Sequence, residues 1–303
     1  MTQDQPTALL TLSEGFADAV ERAAVFTVAV DGRPRLAASG IAWAADVVVT
    51  ADHALERDEE VTIGLPDGTE ASATIVGRDP AADIAVLRVA GPKLVAAPRR
   101  VAPLRVGSLV VAVGRPGSGG VQGSLGMVSA LGGPWRTRGG RRFGGSIRTD
   151  TTFFPGFSGG PLIDAAGEVA GMNTSRFGRG APITLPIAAV ATVVEALLAH
   201  GRIRRGYLGI GSQPARLNEA LQAQVTPPQE SGLLIVAVEA ESPAERGGLL
   251  VGDIMVGIDG APIRDTGDLQ AQLDGQSVGQ VVVIRVLRGG KAADVTVTVG
   301  ERE

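Results

Sequence analysis

A serine hydroxyl attacks a carbonyl only when a base removes its proton and donors stabilise the oxyanion that forms. The segment Phe154-Pro155-Gly156-Phe157-Ser158-Gly159-Gly160-Pro161-Leu162 offers such a serine. Glycines on both sides of Ser158 let the backbone turn tightly and aim amide N–H groups at one point. The oxyanion site is read as Gly156, Phe157 and Ser158, with the N–H groups of Gly156 and Ser158 as its donors. Taken alone, the segment is equally a glycine-rich turn that carries a serine. The base must come from elsewhere, and the chain has 2 histidines. His53 follows the apolar run 47–51 and stands at a strand end. His200 closes a helical pattern before Gly201, where a cation is favourable for electrostatic reasons alone. An orienting carboxylate completes the set. Asp79 precedes Pro80 and suits a turn. Asp83 has no such task left, and it directly precedes an apolar strand. A buried Asp on the imidazole would fix its tautomer and stabilise the imidazolium.

The surrounding pattern is mostly β. Short apolar runs at 25–30, 36–43, 47–50, 61–65, 71–76 and 84–89 are separated by Gly, Pro and Asp turns, with Pro66-Asp67-Gly68 as a hairpin signal. Residues 92–103 form a connector, and a second set of strands runs from Leu109 to about Leu185. Such spacing favours a barrel or sandwich over a parallel α/β sheet. Two helices stand out. Residues 11–22 carry apolar positions at helical spacing, with Thr11 and Glu14 fitting a capping box. Residues 186–199 begin at a proline suited to the first helical position and end at Gly201. Arg202-Ile203-Arg204-Arg205-Gly206 is a natural boundary. The expected domains are an N-terminal segment and helix at 1–22, a first domain at 23–201 and a second at 202–303. No internal sequence repeat is visible.

Composition narrows the chemistry. Among 303 residues, 44% are apolar and 20% charged, the net charge is −4, and there is no cysteine. Disulfides, thiolate metal sites and cysteine nucleophiles are excluded. No metal site or cofactor is expected. The acidic balance gives no reason to expect nucleic acid as a partner, and the basic cluster Arg136, Arg138, Arg141 and Arg142 beside Trp135 is read as a solvated hairpin tip. No membrane-spanning helix is expected, since the longest apolar stretch, 187–199, contains Glu195 and falls short of the roughly 18–20 residues needed. The first six residues lack the basic start and apolar core of a leader. The chain as written is therefore expected in the cytoplasm, with the periplasm or cell envelope as the alternative if a leader has been removed.

The segments holding His53, Asp83 and Ser158 occur in that order and resemble the motifs of the trypsin-like HtrA (Deg) serine proteases. Gly126–Leu131, Ile147–Asp150 and Gly171–Thr174 are similar to further strands of that family. Tyr207, Leu208, Gly209 and Ile210 look like the carboxylate-binding loop of its PDZ domain, and Ser242–Leu249, Gly252–Ile254 and Leu269–Leu273 like later PDZ segments. The resemblance implies a mostly β fold, with a chymotrypsin-like double β-barrel followed by one PDZ domain. It implies an ATP-independent serine endopeptidase that degrades unfolded or damaged proteins and binds hydrophobic C-termini. The alternative is a non-proteolytic chaperone or peptide-binding scaffold on the same fold. A homotrimer is the family expectation, with Leu9, Leu10, Leu12 and Phe16 as apolar contacts. The loop 132–143 would be the regulatory loop through which the PDZ domain tunes activity.

Two departures from the family pattern bear on specificity and control. The pocket strand reads Ala181-Pro182-Ile183-Thr184-Leu185-Pro186, and Ile183, Thr184 and Leu185 are expected to narrow the pocket. No acidic residue lies between Gly171 and Pro186, so small to medium aliphatic side chains should fit it. Phe157 occupies a position where the family usually has Asn. A buried ring would hold the oxyanion loop in one state, whereas an exposed ring would turn the Gly156 N–H away from the cleft. The expected resting state is at least partly inactive, so that Phe157→Asn raises basal activity.

Overall fold

Short strands, most of them buried on both faces, close into rings. The computed structural model describes residues 7–301 apart from 34–35, 57–60, 92, 118, 137–141, 178–182, 204–205 and 274–276. The chain divides into two compact units, the first made of residues 1–137 and 143–203 and the second of 138–142 and 204–303.

In the first unit, strands β1 (Thr27–Asp31), β2 (Ala38–Ala44), β3 (Val47–Thr50), β4 (Val61–Gly64), β5 (Glu70–Asp79) and β6 (Ile84–Val89) form a closed barrel in the order β1-β2-β3-β6-β5-β4. Successive side chains on a strand point to opposite faces. Val48 and Leu87 are register partners and fill the interior with Val28, Val30 and Ile63. Their neighbours Val49 and Val86, also partners, face outward into a larger core. A second barrel follows, made of β7 (Leu109–Gly114), β8 (Gln122–Gly132), β9 (Ser146–Thr149), β10 (Pro161–Asp164), β11 (Val169–Thr174) and β12 (Ile183–Pro186). Its ring order is β9-β12-β11-β10-β7-β8. Read from its own first strand, that is the order of the first barrel. The repeat is one of topology, which the sequence does not display.

Between the barrels lies a shared core that draws Ile41, Val49 and Val86 from one, and Val111, Ile163 and Met172 from the other. Two helices complete it. Helix α1 (Ala8–Ala24) starts three residues before the expected 11–22, because Thr7 is the N-cap and its hydroxyl accepts from the Leu10 N–H. Thr11 lies inside the helix, with its hydroxyl on the Thr7 carbonyl. Phe16, Ala19 and Ala23 are buried, whereas Leu9, Leu10 and Leu12 are exposed. Phe16 therefore packs into the core. Helix α2 (Ile187–His200) begins one residue after the expected first helical position, because Pro186 is its N-cap, and ends at Gly201 in the left-handed conformation. It buries Val190, Val193, Val194 and Leu197.

The second unit is an antiparallel sheet of β13 (Ile210–Arg216), β14 (Ser231–Val238), β15 (Ile254–Ile258), β16 (Val281–Arg288) and β17 (Lys291–Thr298), hydrogen-bonded in that order. Helices α3 (Pro243–Gly247) and α4 (Thr266–Gln272) pack with it around Leu208, Ile235, Met255, Ile284 and Val297. Among the described residues, no helix is long and apolar enough to cross a membrane.

Candidate active site

The base is placed by polar contacts. His53 sits in a one-turn 3-10 helix, Asp52–Ala54, directly after β3. Arg78 on β5 clamps that turn, with Nε on Asp52 Oδ1 at 2.6 Å and Nη2 on the Leu55 carbonyl at 2.9 Å. Asp83 stands at the entrance of β6 after a turn in which Asp79 Oδ1 accepts from the N–H groups of Ala81 and Ala82. Its φ is +58°, a left-handed conformation that Asp tolerates better than most residues. The Asp83 side chain is fully buried. It accepts from the His53 backbone N–H at 2.9 Å and faces His53 Nδ1 at 2.8 and 2.9 Å. Because the carboxylate is an acceptor, Nδ1 carries the proton and Nε2 is left as the acceptor. Thr174, at the end of β11, donates its hydroxyl to Asp83 Oδ2. The second barrel thus anchors the acid of the first.

The nucleophile loop is placed by packing. Phe157 is fully buried among Val110, Val128, Ile147 and Leu162, inside the second barrel. It meets Phe154 edge-on at 5.4 Å between ring centroids. The Phe157 N–H donates to the Phe154 carbonyl at 3.1 Å, closing a turn. Phe157 therefore contributes its ring and the turn, not a free donor. Neither the Gly156 nor the Ser158 N–H donates to a protein acceptor among the described residues. Gly156 needs its φ of +91°, and a Cβ there would meet Pro116 Cβ at 2.5 Å. A Cβ on Gly159, at φ +85°, would come within 2.1 Å of the Ser39 carbonyl oxygen. Of the two alternatives for Phe157, the buried ring is the one found, and it holds the loop by filling the barrel.

Ser39 ties the two halves together. This buried residue donates its N–H to the Ser158 carbonyl at 3.0 Å and its hydroxyl to the Gly156 carbonyl at 2.7 Å. The hydroxyl accepts from the Arg115 N–H at 2.8 Å, and the Ser39 carbonyl accepts from Thr50 Oγ1 at 2.7 Å. The carbonyls of Gly156 and Ser158 are thereby fixed. The Arg115 guanidinium is itself buried, on the carbonyls of Ala24 and Thr27, and burial pushes its pKa down from the ordinary value.

The structure brings His53, Asp83 and the Ser158 loop to one place. Ser158 Oγ lies 3.1 Å from Ser175 Oγ, which in turn lies 3.4 Å from His53 Nε2. The pocket strand is only partly as expected. Ile183 and Leu185 point into the shared core, so they do not narrow a pocket. Thr184 lies on the other face of β12 and donates to Asn173 Oδ1 at 2.8 Å. Ala181 and Pro182 lie outside the described residues, as do Arg138 and Arg141. The stem of that expected hairpin pairs 135–136 with 142–143, with Trp135 against Phe143 and Phe177. Sequence reasoning missed Ser39, Thr174 and Ser175 as individual residues. Only the motif containing Thr174 had been singled out, and a lone hydroxyl carries no spacing signal.

In the second unit, Tyr207–Ile210 leads into β13, an edge strand of its sheet. The Leu208 carbonyl accepts from the Ala244 N–H, the Gly209 carbonyl accepts from the Glu239 N–H, and the Tyr207 hydroxyl donates to Glu239. The N–H groups of Leu208 and Gly209 donate to no protein acceptor among the described residues.

Comparison with known proteins agrees with this geometry. Residues 38–172 match the trypsin-like peptidase domain and residues 206–299 the PDZ domain. The solved structure of the HtrA-type protease AlgW with a tripeptide is 30% identical, and the match covers 95% of this chain and 97% of that one at a TM-score of 0.73. The chain belongs to the HtrA family of trypsin-like serine proteases. The serine endoprotease of Yersinia pestis matches with a TM-score of 0.75 at 27% identity, covering 99% of this chain and all of that one. The probable periplasmic serine endoprotease DegP-like of Brucella suis is 33% identical over 277 residues, which span 88% of this chain and 53% of that protein. Its counterpart in Pseudomonas savastanoi pv. phaseolicola is 34% identical over 259 residues, spanning 84% and 53%. This HtrA chain thus spans about half the length of the curated relatives it matches. Their names overturn the cytoplasmic expectation and point to the periplasm.

Proposed function

We propose that this HtrA protease is an ATP-independent endopeptidase for unfolded or damaged proteins, with Ser158 as nucleophile, His53 as general base and Asp83 as orienting acid. The observation that carries this reading is the buried Asp83 carboxylate on His53 Nδ1, which leaves Nε2 facing the Ser158 side. Ser158 Oγ attacks the scissile carbonyl while Nε2 takes its proton. The N–H groups of Gly156 and Ser158 receive the oxyanion, and the imidazolium then protonates the leaving amine. The domain division at 23–201 and 202–303 assigns catalysis to the first part and peptide recognition to the second. A hydrophobic C-terminus adds to the β13 edge, its carboxylate on the Leu208 and Gly209 N–H groups. Ligand binding there tunes the protease through the loop 132–143. Side chains of aliphatic type occupy the primary pocket, where no acidic residue of 171–186 can pair with Lys or Arg.

A serine-directed fluorophosphonate tests the assignment. Labelling confined to Ser158, and abolished in His53→Ala, is expected. An unlabelled wild-type protein would favour the non-proteolytic scaffold. Mass spectrometry of casein fragments tests specificity, and cleavage mainly after Lys or Arg would overturn the aliphatic pocket.

A further inference from the structure

The nucleophile and the base do not touch. Ser158 Oγ makes no hydrogen bond to His53, and Ser175 occupies the position between them. The Ser175 N–H donates to Ser158 Oγ at 3.3 Å, and the two hydroxyl oxygens are 3.1 Å apart. Ser175 Oγ also stands 3.4 Å from His53 Nε2. Proton bookkeeping limits what this triangle can do. His53 Nδ1–H is committed to Asp83, so Nε2 needs a donor, and the Ser175 hydroxyl is the group in reach. Ser175 thereby occupies the acceptor that should take the nucleophile's proton. Its backbone N–H meanwhile points at the oxygen that should attack.

We propose that Ser175 is a positioning residue that holds the resting enzyme back, by satisfying His53 Nε2 and turning Ser158 Oγ away from it. The inference rests on the triad assignment above and concerns the regulation of that same site. Substrate would release the hold. A chain bound in the cleft competes for the Ser175 N–H and hydroxyl, and the Ser158 hydroxyl then needs only a side-chain rotation between staggered wells to reach Nε2. The backbone N–H survives any substitution, so removing the hydroxyl lifts only part of the hold. One neutral hydrogen bond corresponds to an acceleration of about three- to tenfold.

The experiment compares the second-order rate of labelling by a small fluorophosphonate in wild type, Ser175→Ala and Ser175→Thr, with melting curves for each. Labelling is expected to be about three- to tenfold faster in Ser175→Ala at an unchanged melting temperature. Ser175→Thr, which restores the hydroxyl, should lose that gain. On a short peptide substrate, whose binding itself releases the hold, the gain should fall on KM and not on kcat. An unchanged Ser175→Ala rate overturns the inference and leaves the triad standing. A slower Ser175→Ala also overturns it and identifies the hydroxyl as a proton relay. Absence of labelling in wild type removes the triad reading, and this inference with it.

Discussion

The two barrels share one ring order yet prepare their halves of the site by different physics. The first holds its candidate catalytic groups with polar contacts: Asp83 on His53, Arg78 on Asp52, and Asp79 on the turn between them. The second holds its loop with an aromatic ring, Phe157, sunk into the barrel interior. The difference follows from what each half must do. A base needs a defined tautomer, which hydrogen bonds select. An oxyanion site needs N–H groups left unbonded, so the loop must be fixed by something other than those groups. Ser39 from the first barrel and Thr174 from the second then cross the divide, and each fixes the other side's chemistry.

Breaking the nucleophile side should give the largest effect. Ser158→Ala is expected to lower casein hydrolysis by about 10⁶-fold with the circular dichroism spectrum unchanged, and a wild-type rate in that variant would refute the assignment. On the base side, Asp83→Asn keeps a residue that tolerates φ of +58°. It loses control of the His53 tautomer, and kcat should fall about 10⁴-fold.

Phe157 sharpens the contrast through stability. Phe157→Ala should cost about 3–5 kcal/mol in denaturant melts, because it empties the interior of the second barrel. For the same reason Phe157→Asn is now expected to lower basal activity, the reverse of what its exposure would have implied. A faster, equally stable Asn variant would show that packing does not set the loop. Ser39→Ala tests the crossing point. It strands the Arg115 N–H and the Gly156 carbonyl, each buried group costing about 1–3 kcal/mol. We expect kcat to fall roughly 10- to 100-fold while KM holds, and a loss in KM alone would place Ser39 outside the oxyanion site.

The smallest effect lies in the second unit. Asp253 is buried, which alone would raise its pKa, but hydrogen bonds from Arg288 and the Leu250 N–H hold it below the ordinary carboxylate range. A depressed folded-state value stabilises above the unfolded value, near ~4, and that contribution is lost as pH falls further. The hydrogen-exchange protection of residues 281–298 in the intact chain, taken relative to the intrinsic rate at each pH, should fall on acidification below about pH 4. That loss should be absent in Asp253→Asn, which is already less protected at pH 7.

The motifs around His53, Asp83 and Ser158 were legible because glycine, histidine and aspartate at those places have few other tasks. The strands were legible because short apolar, β-branched runs between Gly, Pro and Asp turns fit strands buried on both faces. Helix α1 was found but begun late, since Thr7 and Thr11 are equal candidates for a cap and only packing of the preceding turn chooses between them. Ile183 and Leu185 were misread because a strand sends neighbours to opposite faces, and a sequence does not say which face meets the cleft. Local chemistry and pattern therefore determined the residue types of the site and the two-part architecture. The tertiary structure alone decided that Phe157 is buried, that Ser39 and Thr174 bridge the barrels and that Ser175 stands between nucleophile and base. Each of those depends on contacts between segments far apart in the chain, which arise only when both rings have closed.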